Sequence, residues 1–593
     1  MLDKVNEVLV RRWRLVVVIA WLLYAAWYLF DRWGAIHAFA LGDTDDNLRL
    51  AQVRALLDGQ GWFDLRQHRL DPLHGGANIH WSRLVDLPVA GLILAIRPWF
   101  GGVEAERWAS AIAPLLPLLP MLGALALIAR RLVDPRAAAL ALAALLFAGS
   151  TAGMVQPLRI DHHGWQLALL AVTLAGLADP RRARGGVTAG VASALSLTIG
   201  LEFIIYLAPI GVAHALFWVA DRDERRRLIA YAASMAGGTA LGFLLFASNA
   251  NRGAVCDALS SVWLSDALLG GGLIAGLAML RVERWTARLA LALAAGVVLA
   301  AFHALAFPHC LSRLEGVSPL ATQLWLSHVK EARPIYRHGA EVAALTLALP
   351  ISGLIGYALL VWRARGEPDL LRRTLAVAAP AFTALALLMW QTRTGPAAQM
   401  MAIPGSVAIV FLLAPRAFAS NNMVVRVLGT ALAVIAGMGA LVPLGSDYFP
   451  KDKVTALSKR VNVANRRCPT LAALRPIARQ PKGTIFTFVD FGPRIIAMTH
   501  HDAIAGPYHR NYPAIVDSML AFRGDAAQAH AIVAGKYHAD YLMICPDQSS
   551  ATIFMAEAPK GFYVQLAAGQ VPPWLAPVDL GPNSPWKMWR VVG

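Results

Sequence analysis

The residues best suited to chemistry in this chain stand where long apolar runs end. "PLRIDHHGWQ" (157–166) sets Arg159, Asp161, His162 and His163 between two such runs. "LGDTDDNLRL" (41–50) places Asp43, Asp45 and Asp46 soon after the first run, and "HVKEARP" (328–334) places Glu331 in a later polar stretch. Ionisable groups beside lipid are costly to keep and usually mark function. Carboxylates with one imidazole and no thiolate form a donor set for a hard to borderline cation such as Mg²⁺ or Mn²⁺. At a membrane–water boundary that ion can neutralise a phosphate or pyrophosphate leaving group while its lipid tail stays in the bilayer. Not every acid is expected to share this work. Asp45 and Asp46 read as a solvated helix start, since acids are favoured in a first helical turn. His162 reads as a structural or headgroup contact and Glu202 as a turn residue.

The elements that must position these groups are membrane spans. Of the 593 residues 57% are hydrophobic and 15% charged, which excludes a soluble multidomain protein. The net charge of +17 lies in Arg clusters flanking the apolar runs, a topology signal rather than a nucleic-acid footprint. Arg11, Arg12 and Arg14 precede the first run, which has no small-residue cleavage site. It is expected to remain as span one, with the N-terminus cytoplasmic. Spans are expected near 13–31, 108–129, 136–155, 164–179, 186–200, 203–220, 228–247, 265–280, 287–306, 341–362, 374–391, 398–415 and 425–444. The stretch "DLPVAGLILAIRPWF" (86–100) is too short to cross and should be interfacial or re-entrant.

This count of about 13 puts the C-terminus outside and most Arg clusters inside. Long outer loops then cover about 31–107 and 307–340, within a membrane domain spanning 1–444. The four cysteines all fall on the oxidising side, with Cys256–Cys310 and Cys468–Cys545 as the natural pairs. Residues 445–593 carry no span and read as an outer α/β domain. Its strands are expected at 484–490, in "DYLMICP" and in "WKMWRVV", and its helices in "PAIVDSMLAF" and "AAQAHAIVAG". No internal repeat supports an inverted-repeat transporter.

On these residues the chain resembles the catalytic subunit of oligosaccharyltransferase, the PglB/AglB family of GT-C glycosyltransferases. "GDTDDNLRLAQVRALLDGQGW" is similar to the family's first outer motif and puts its Asp at Asp43. "DHH" (161–163) resembles the second acidic motif of archaeal members, and "HVKEARP" supplies the Glu and Pro of a fifth-loop motif as Glu331 and Pro334. "QTRTGPAAQMMAIPG" opens a late span with Arg393, and "FVDFG" (488–492) keeps Asp490 and Gly492 of the motif W-W-D-Y-G, with Phe488 and Val489 replacing both tryptophans. The resemblance implies 13 spans and an outer C-terminal domain. It further implies a divalent metal, Mg²⁺ or Mn²⁺, on Asp43, Asp161 and His163, and catalytic roles for Asp43, Asp161 and Glu331. The donor phosphate would meet Arg159, His509 and Arg510, and the acceptor would meet Arg393 and Asp490.

The expected activity is inverting transfer of a sugar or oligosaccharide from a polyprenyl-phosphate or polyprenyl-pyrophosphate donor on the outer face of a bacterial inner membrane. The partners are that donor, membrane lipids and a protein, lipid or polysaccharide acceptor, with no nucleic acid. Such a displacement needs no protein nucleophile, and no Ser/His/Asp or Cys/His triad signature is present. The first 180 residues are equally similar to GT-C enzymes that move single sugars from polyprenyl monophosphate onto a lipid or envelope polymer. A flippase of lipid-linked glycans is a further alternative.

Overall fold

The computed structural model describes residues 9–312, 317–450 and 454–592. Residues 313–316 of the expected outer loop 307–340 lie outside the described residues. Among the described residues, eight helices are long and apolar enough to cross a membrane: Trp13–Asp31, Gly102–Leu132, Arg222–Phe246, Ser261–Met279, Trp285–Ala306, Ala340–Gly366, Pro368–Leu387 and Thr392–Phe418. A ninth candidate is a broken pair, Ala137–Phe147 and Gly149–Val155, bent by 80°. His163–Leu177, Ile204–Ala220 and Val425–Gly437 are shorter apolar helices. The remaining expected span is the helix Arg182–Ile199, which is not among those span-length apolar helices.

The reason that helix reads weakly is its position. It buries Gly185, Gly186, Gly190, Ser193, Ser196 and Thr198 against neighbouring helices rather than offering an apolar face to lipid. A Cβ on Gly176 would lie 2.7 Å from the Gly185 carbonyl oxygen, so the two backbones touch. Close approach through small residues is how helices associate where lipid supplies no hydrophobic drive. The same device joins Ala340–Arg363 to Gly395–Phe418, where a Cβ on Gly356 would run into the Gly405 carbonyl. Gly395–Phe418 is the central helix of the bundle: its residues from Ala397 to Val410 are all buried.

The segment 86–100 forms the helix Asp86–Phe100, 15 residues long. At 1.5 Å per residue that is about 22 Å, short of a hydrocarbon core of about 30 Å. Its first residue, Asp86, is fully buried and pairs with Arg49 at 2.7 Å and Arg83 at 3.5 Å. Its far end exposes Trp99 and Phe100.

Two antiparallel strands, β1 (Arg66–Gln67) and β2 (Ala77–Asn78), lie in the segment 31–107 that follows the first long helix. The tail holds a five-stranded sheet of β3 (Thr484–Phe486), β4 (Asp502–Ala503), β5 (Tyr541–Ile544), β6 (Leu575–Val578) and β7 (Lys587–Val591). The order is β4-β3-β5-β7-β6, with β4, β3 and β5 parallel and β7 antiparallel to both neighbours. Strands form at the three expected places, although the one expected over 484–490 ends at Phe486 and Val489–Phe491 turns as a 3-10 helix, while β4 and β6 are not legible in the sequence. The two expected helices appear as Tyr512–Arg523 and as Ala526–His530 continued by Ala531–Lys536.

The tail does not stand apart from the segment 31–107. Leu48, Leu70, Ala77, Ile79 and Trp81 share one hydrophobic core with Ile485, Phe486, Ile495 and Leu542. Leu70 extends the sheet by a parallel bridge to Ala503, and the Asp71 N–H donates to the Ala503 carbonyl at 2.7 Å. Arg69 donates to the carbonyls of Ile496, Thr499 and His501, capping the end of the helix Gly492–Met498. Both expected disulfides are formed, Cys256–Cys310 and Cys468–Cys545.

Candidate active site

Asp43 caps the helix Thr44–Leu57, accepting from the Thr44 N–H at 2.6 Å and the Thr44 hydroxyl at 3.0 Å. Its other oxygen faces Arg159, which stands in the loop before the helix His163–Leu177. One guanidinium nitrogen, Nη1, donates to Asp43 at 2.8 Å and to Asp46 at 3.3 Å, and Nη2 donates to Asp161 at 2.6 Å. The Asp161 N–H in turn donates to Asp46 at 3.1 Å, and the His163 N–H to Asp161 at 3.0 Å. The helix start and the "DHH" turn, 115 residues apart, are thereby locked together.

This corrects the reading of Asp46. It is fully buried and carries two cross-segment hydrogen bonds, so it is not a solvated helix start. The spacing Asp43-x-x-Asp46 could have signalled it, because positions three apart lie on one helix face. Asp45 is only half-buried, yet its carboxyl is pushed up to about 7, by desolvation first and then by the negative charge of Asp43, Asp161 and Glu331. Burial opposes ionisation of Asp43 and Asp161, but Arg159 outweighs it at Asp43, and the cations His163 and Arg159 outweigh it at Asp161. Both acids are held below the usual carboxylate range, whereas burial and the like charges push Asp46 well above it.

The acids outnumber their cations here, and His163 Nδ1 is buried without a hydrogen-bond partner, 3.3 Å from Asp161 Oδ2. That donor set suits a divalent cation, with Asp161 and His163 already adjacent. Asp43 does not yet converge with them: Asp43, Asp161 and His163 are not among the triplets of ligand atoms found within 4.8 Å of one another in the described residues. Arg159 lies between the carboxylates and supplies the positive charge, rather than pointing toward open space.

Glu331 and Arg393 form an exposed ion pair at 3.2 Å, and the Thr392 hydroxyl donates to the Glu331 carbonyl at 3.2 Å. The fifth-loop motif therefore docks on the residues that open the central helix. Asp490 accepts from the Ser550 hydroxyl, and its carboxyl is pushed up by desolvation and by the charge of Asp43. Phe488 and Val489 are buried in the tail core, where Phe488 packs against Phe522, Phe554 and Tyr563.

His509 and Arg510 are drawn to a different acid. Arg510 grips Asp257 with two N–H groups at 2.7 and 2.5 Å, His509 Nε2 lies 2.5 Å from Asp257, and Arg510 also donates to Asn251 at 2.8 Å. A row of rings connects the two places. His163 stacks on His162 at 4.4 Å, Glu202 lies between His162 at 3.4 Å and His80 at 3.8 Å, and His80 lies 4.7 Å from His509. Glu202 is thus a member of a half-buried polar row and not merely a turn residue. Burial pushes the His80 imidazole down to about 4. Nothing in "ANIHWSR" marks His80, and Asp257 is masked by its neighbour Cys256.

No protein-family model matches the chain, and no curated protein sequence matches it either. Solved structures do. The archaeal oligosaccharyltransferase AglB from Archaeoglobus fulgidus, in complex with an inhibitory peptide and a dolichol-phosphate, matches with TM-score 0.68 and 18% identity over 96% of this chain and 73% of that one. The same oligosaccharyltransferase tethered to an acceptor peptide containing the NVT sequon matches with TM-score 0.67 and 18% identity, over 98% and 74%. Its complex with Zn and sulfate matches with TM-score 0.60 and 19% identity, over 89% and 67%. The chain has the fold of these membrane proteins across nearly its whole length.

Proposed function

We propose that the protein is a membrane glycosyltransferase that moves a sugar or oligosaccharide from a polyprenyl-linked donor to an acceptor on the outer face of the membrane. The observation that carries this is the Arg159 knot, which joins Asp43 and Asp46 of the segment 31–107 to Asp161 of the "DHH" turn. The shared fold supports it, because the similar protein is an oligosaccharyltransferase captured with a dolichol-phosphate. A divalent cation held by Asp43, Asp161 and His163 would supply charge to offset the departing phosphate. Arg159 then exchanges carboxylate partners for phosphate oxygens, which match its fork. Glu331, tethered by Arg393, orients the acceptor together with Asp43. The acceptor attacks the anomeric carbon directly, inverting it, so no side chain need bond to the sugar.

The burial of Phe488 and Val489 favours a second reading of the acceptor. Where the resembled motif reads a peptide sequon with two tryptophans, this chain turns smaller groups into its core. A lipid or envelope-polymer acceptor for a single sugar fits that change.

Purified protein should be incubated with radiolabelled polyprenyl-phosphate and polyprenyl-pyrophosphate sugars, each with a sequon peptide or a lipid acceptor. Label on the peptide selects the oligosaccharyltransferase-like reaction, and label on the lipid selects the second reading. Label that stays on every donor, from folded protein supplied with Mg²⁺ and Mn²⁺, removes the transferase reading.

A further inference from the structure

The group at the far end of the ring row is one of two triplets of close ligand atoms among the described residues, and the other, Cys256, His309 and Cys310, has both sulfurs in a disulfide. His80, Asp257 and His509 each present one ligand atom, and all three atoms lie within 4.8 Å of one another. Their side chains are only 12%, 9% and 17% exposed. They come from three separate parts of the chain: the segment 31–107, the loop after the helix Arg225–Phe246, and the tail. We propose that His80, Asp257 and His509 form a second metal site, specific for a borderline divalent ion such as Zn²⁺ and separate from the Asp43 site.

The donor chemistry sets the ion. Two imidazole nitrogens and one carboxylate oxygen suit Zn²⁺, with bonds of about 2.0–2.2 Å, far better than Mg²⁺, which prefers all-oxygen octahedra. Three protein ligands leave a fourth position. Glu202 lies 3.8 Å from His80 Nε2 and could face that position. The surroundings are those of a fixed ligand set. Arg510 holds both Asp257 oxygens, as outer partners commonly orient a ligating carboxylate. Cys256, the residue before Asp257, is pinned to Cys310. Trp81, next to His80, packs edge-on against Tyr508, next to His509. A bound ion would take the place of the direct Asp257–His509 contact. The site then staples the tail to two outer loops and steadies the Glu202–His162 wall of the active site.

The proposal does not depend on the reaction catalysed, so its test reads metal rather than transfer. Full-length protein in detergent is stripped with EDTA, given Zn²⁺ in the presence of excess Mg²⁺, washed, and analysed by inductively coupled plasma mass spectrometry. One tightly held zinc per chain is expected in the wild type, and its loss in His80→Ala and in His509→Ala. Zinc content near zero in the wild type, or unchanged in both variants, overturns the site. Should the variants fail to fold, cobalt(II) loaded into the wild type gives the answer alone. Intense visible bands of a tetrahedral ion, with two imidazoles in the X-ray absorption fine structure, support the site. Weak octahedral bands, or no bound cobalt, overturn it.

Discussion

At the scale of single residues, Arg159 ties Asp43 and Asp161 to Asp46, while Glu331 pairs apart from them with Arg393. Asp43→Asn, Asp161→Asn and His163→Ala are each expected to cut transfer by roughly 10²-fold or more, since charge stabilisation of a leaving phosphate contributes several kcal/mol. Activity should recover in part at high Mg²⁺ or Mn²⁺, and full activity in chelator would remove the metal assignment. Asp45→Asn is the control. Its carboxyl is pushed up to about 7, so an amide resembles the form already half populated at neutral pH, and turnover should hold. A second expectation concerns Arg159. Removing one partner of a buried ion cluster costs about 3–5 kcal/mol, so Arg159→Ala should lower the melting temperature in detergent. Divalent ions should raise that temperature more in the variant than in the wild type, because they replace the lost cation. An equal shift in both would mean the acids do not converge on an ion. Asp43, Asp161 and His163 were legible because each breaks an apolar run. Asp46 was not, because a first-turn acid reads as ordinary capping until its burial is seen. His80 was not, because a lone histidine in a loop carries no pattern.

At the scale of elements, the spans that face lipid were the easy ones. Trp285–Ala306 buries only Arg288 and Ala295 and reads clearly as a span. Arg182–Ile199 owes its place to protein contacts, so its glycines and serines lower its hydropathy without weakening its fit. The strands β4 and β6 escaped for another reason: β4 has two residues and β6 contains Pro577, so neither shows an alternating pattern long enough to count. The helix crossing at Gly356 gives an element-level test. Gly356→Leu must push the central helix away from Gly405, and overpacking of a close crossing typically costs about 1–3 kcal/mol or more. The expected result is a loss of monodisperse protein in size-exclusion chromatography. Gly366→Leu, where a Cβ meets nothing within 4 Å, should leave the profile unchanged. Equal behaviour of the two would show that the crossing is looser than described.

At the scale of the whole molecule, the interactions divide into two ends. At one end lie the Arg159 knot, the Asp257 clamp, both disulfides and the core shared by the segment 31–107 and the tail. At the other, Asp179 pairs with Arg131 and Arg184, Arg182 with Asp221 and Glu224, and Arg372 with Asp221. The helix His163–Leu177 runs between the two, from the "DHH" turn to the approach of Asp179. Arginines concentrate at the second end, which the positive-inside tendency predicts to be cytoplasmic. A reporter active only outside the cytoplasm should therefore work when fused after Gly593 and fail when fused after Arg184. The cysteines agree with this orientation, since Cys468–Cys545 and Cys256–Cys310 lie at the first end and disulfides persist in oxidising compartments. The polyprenyl donor would then be met on the outer leaflet, with its phosphate at Arg159 and its chain among the exposed apolar helices. If both fusions report the same side, the helix His163–Leu177 does not cross, and the Asp43–Asp161 site loses the membrane boundary on which its chemistry rests. If the sides are reversed, the site faces the cytoplasm, where both disulfides should be reduced, and alkylation would then find four free thiols.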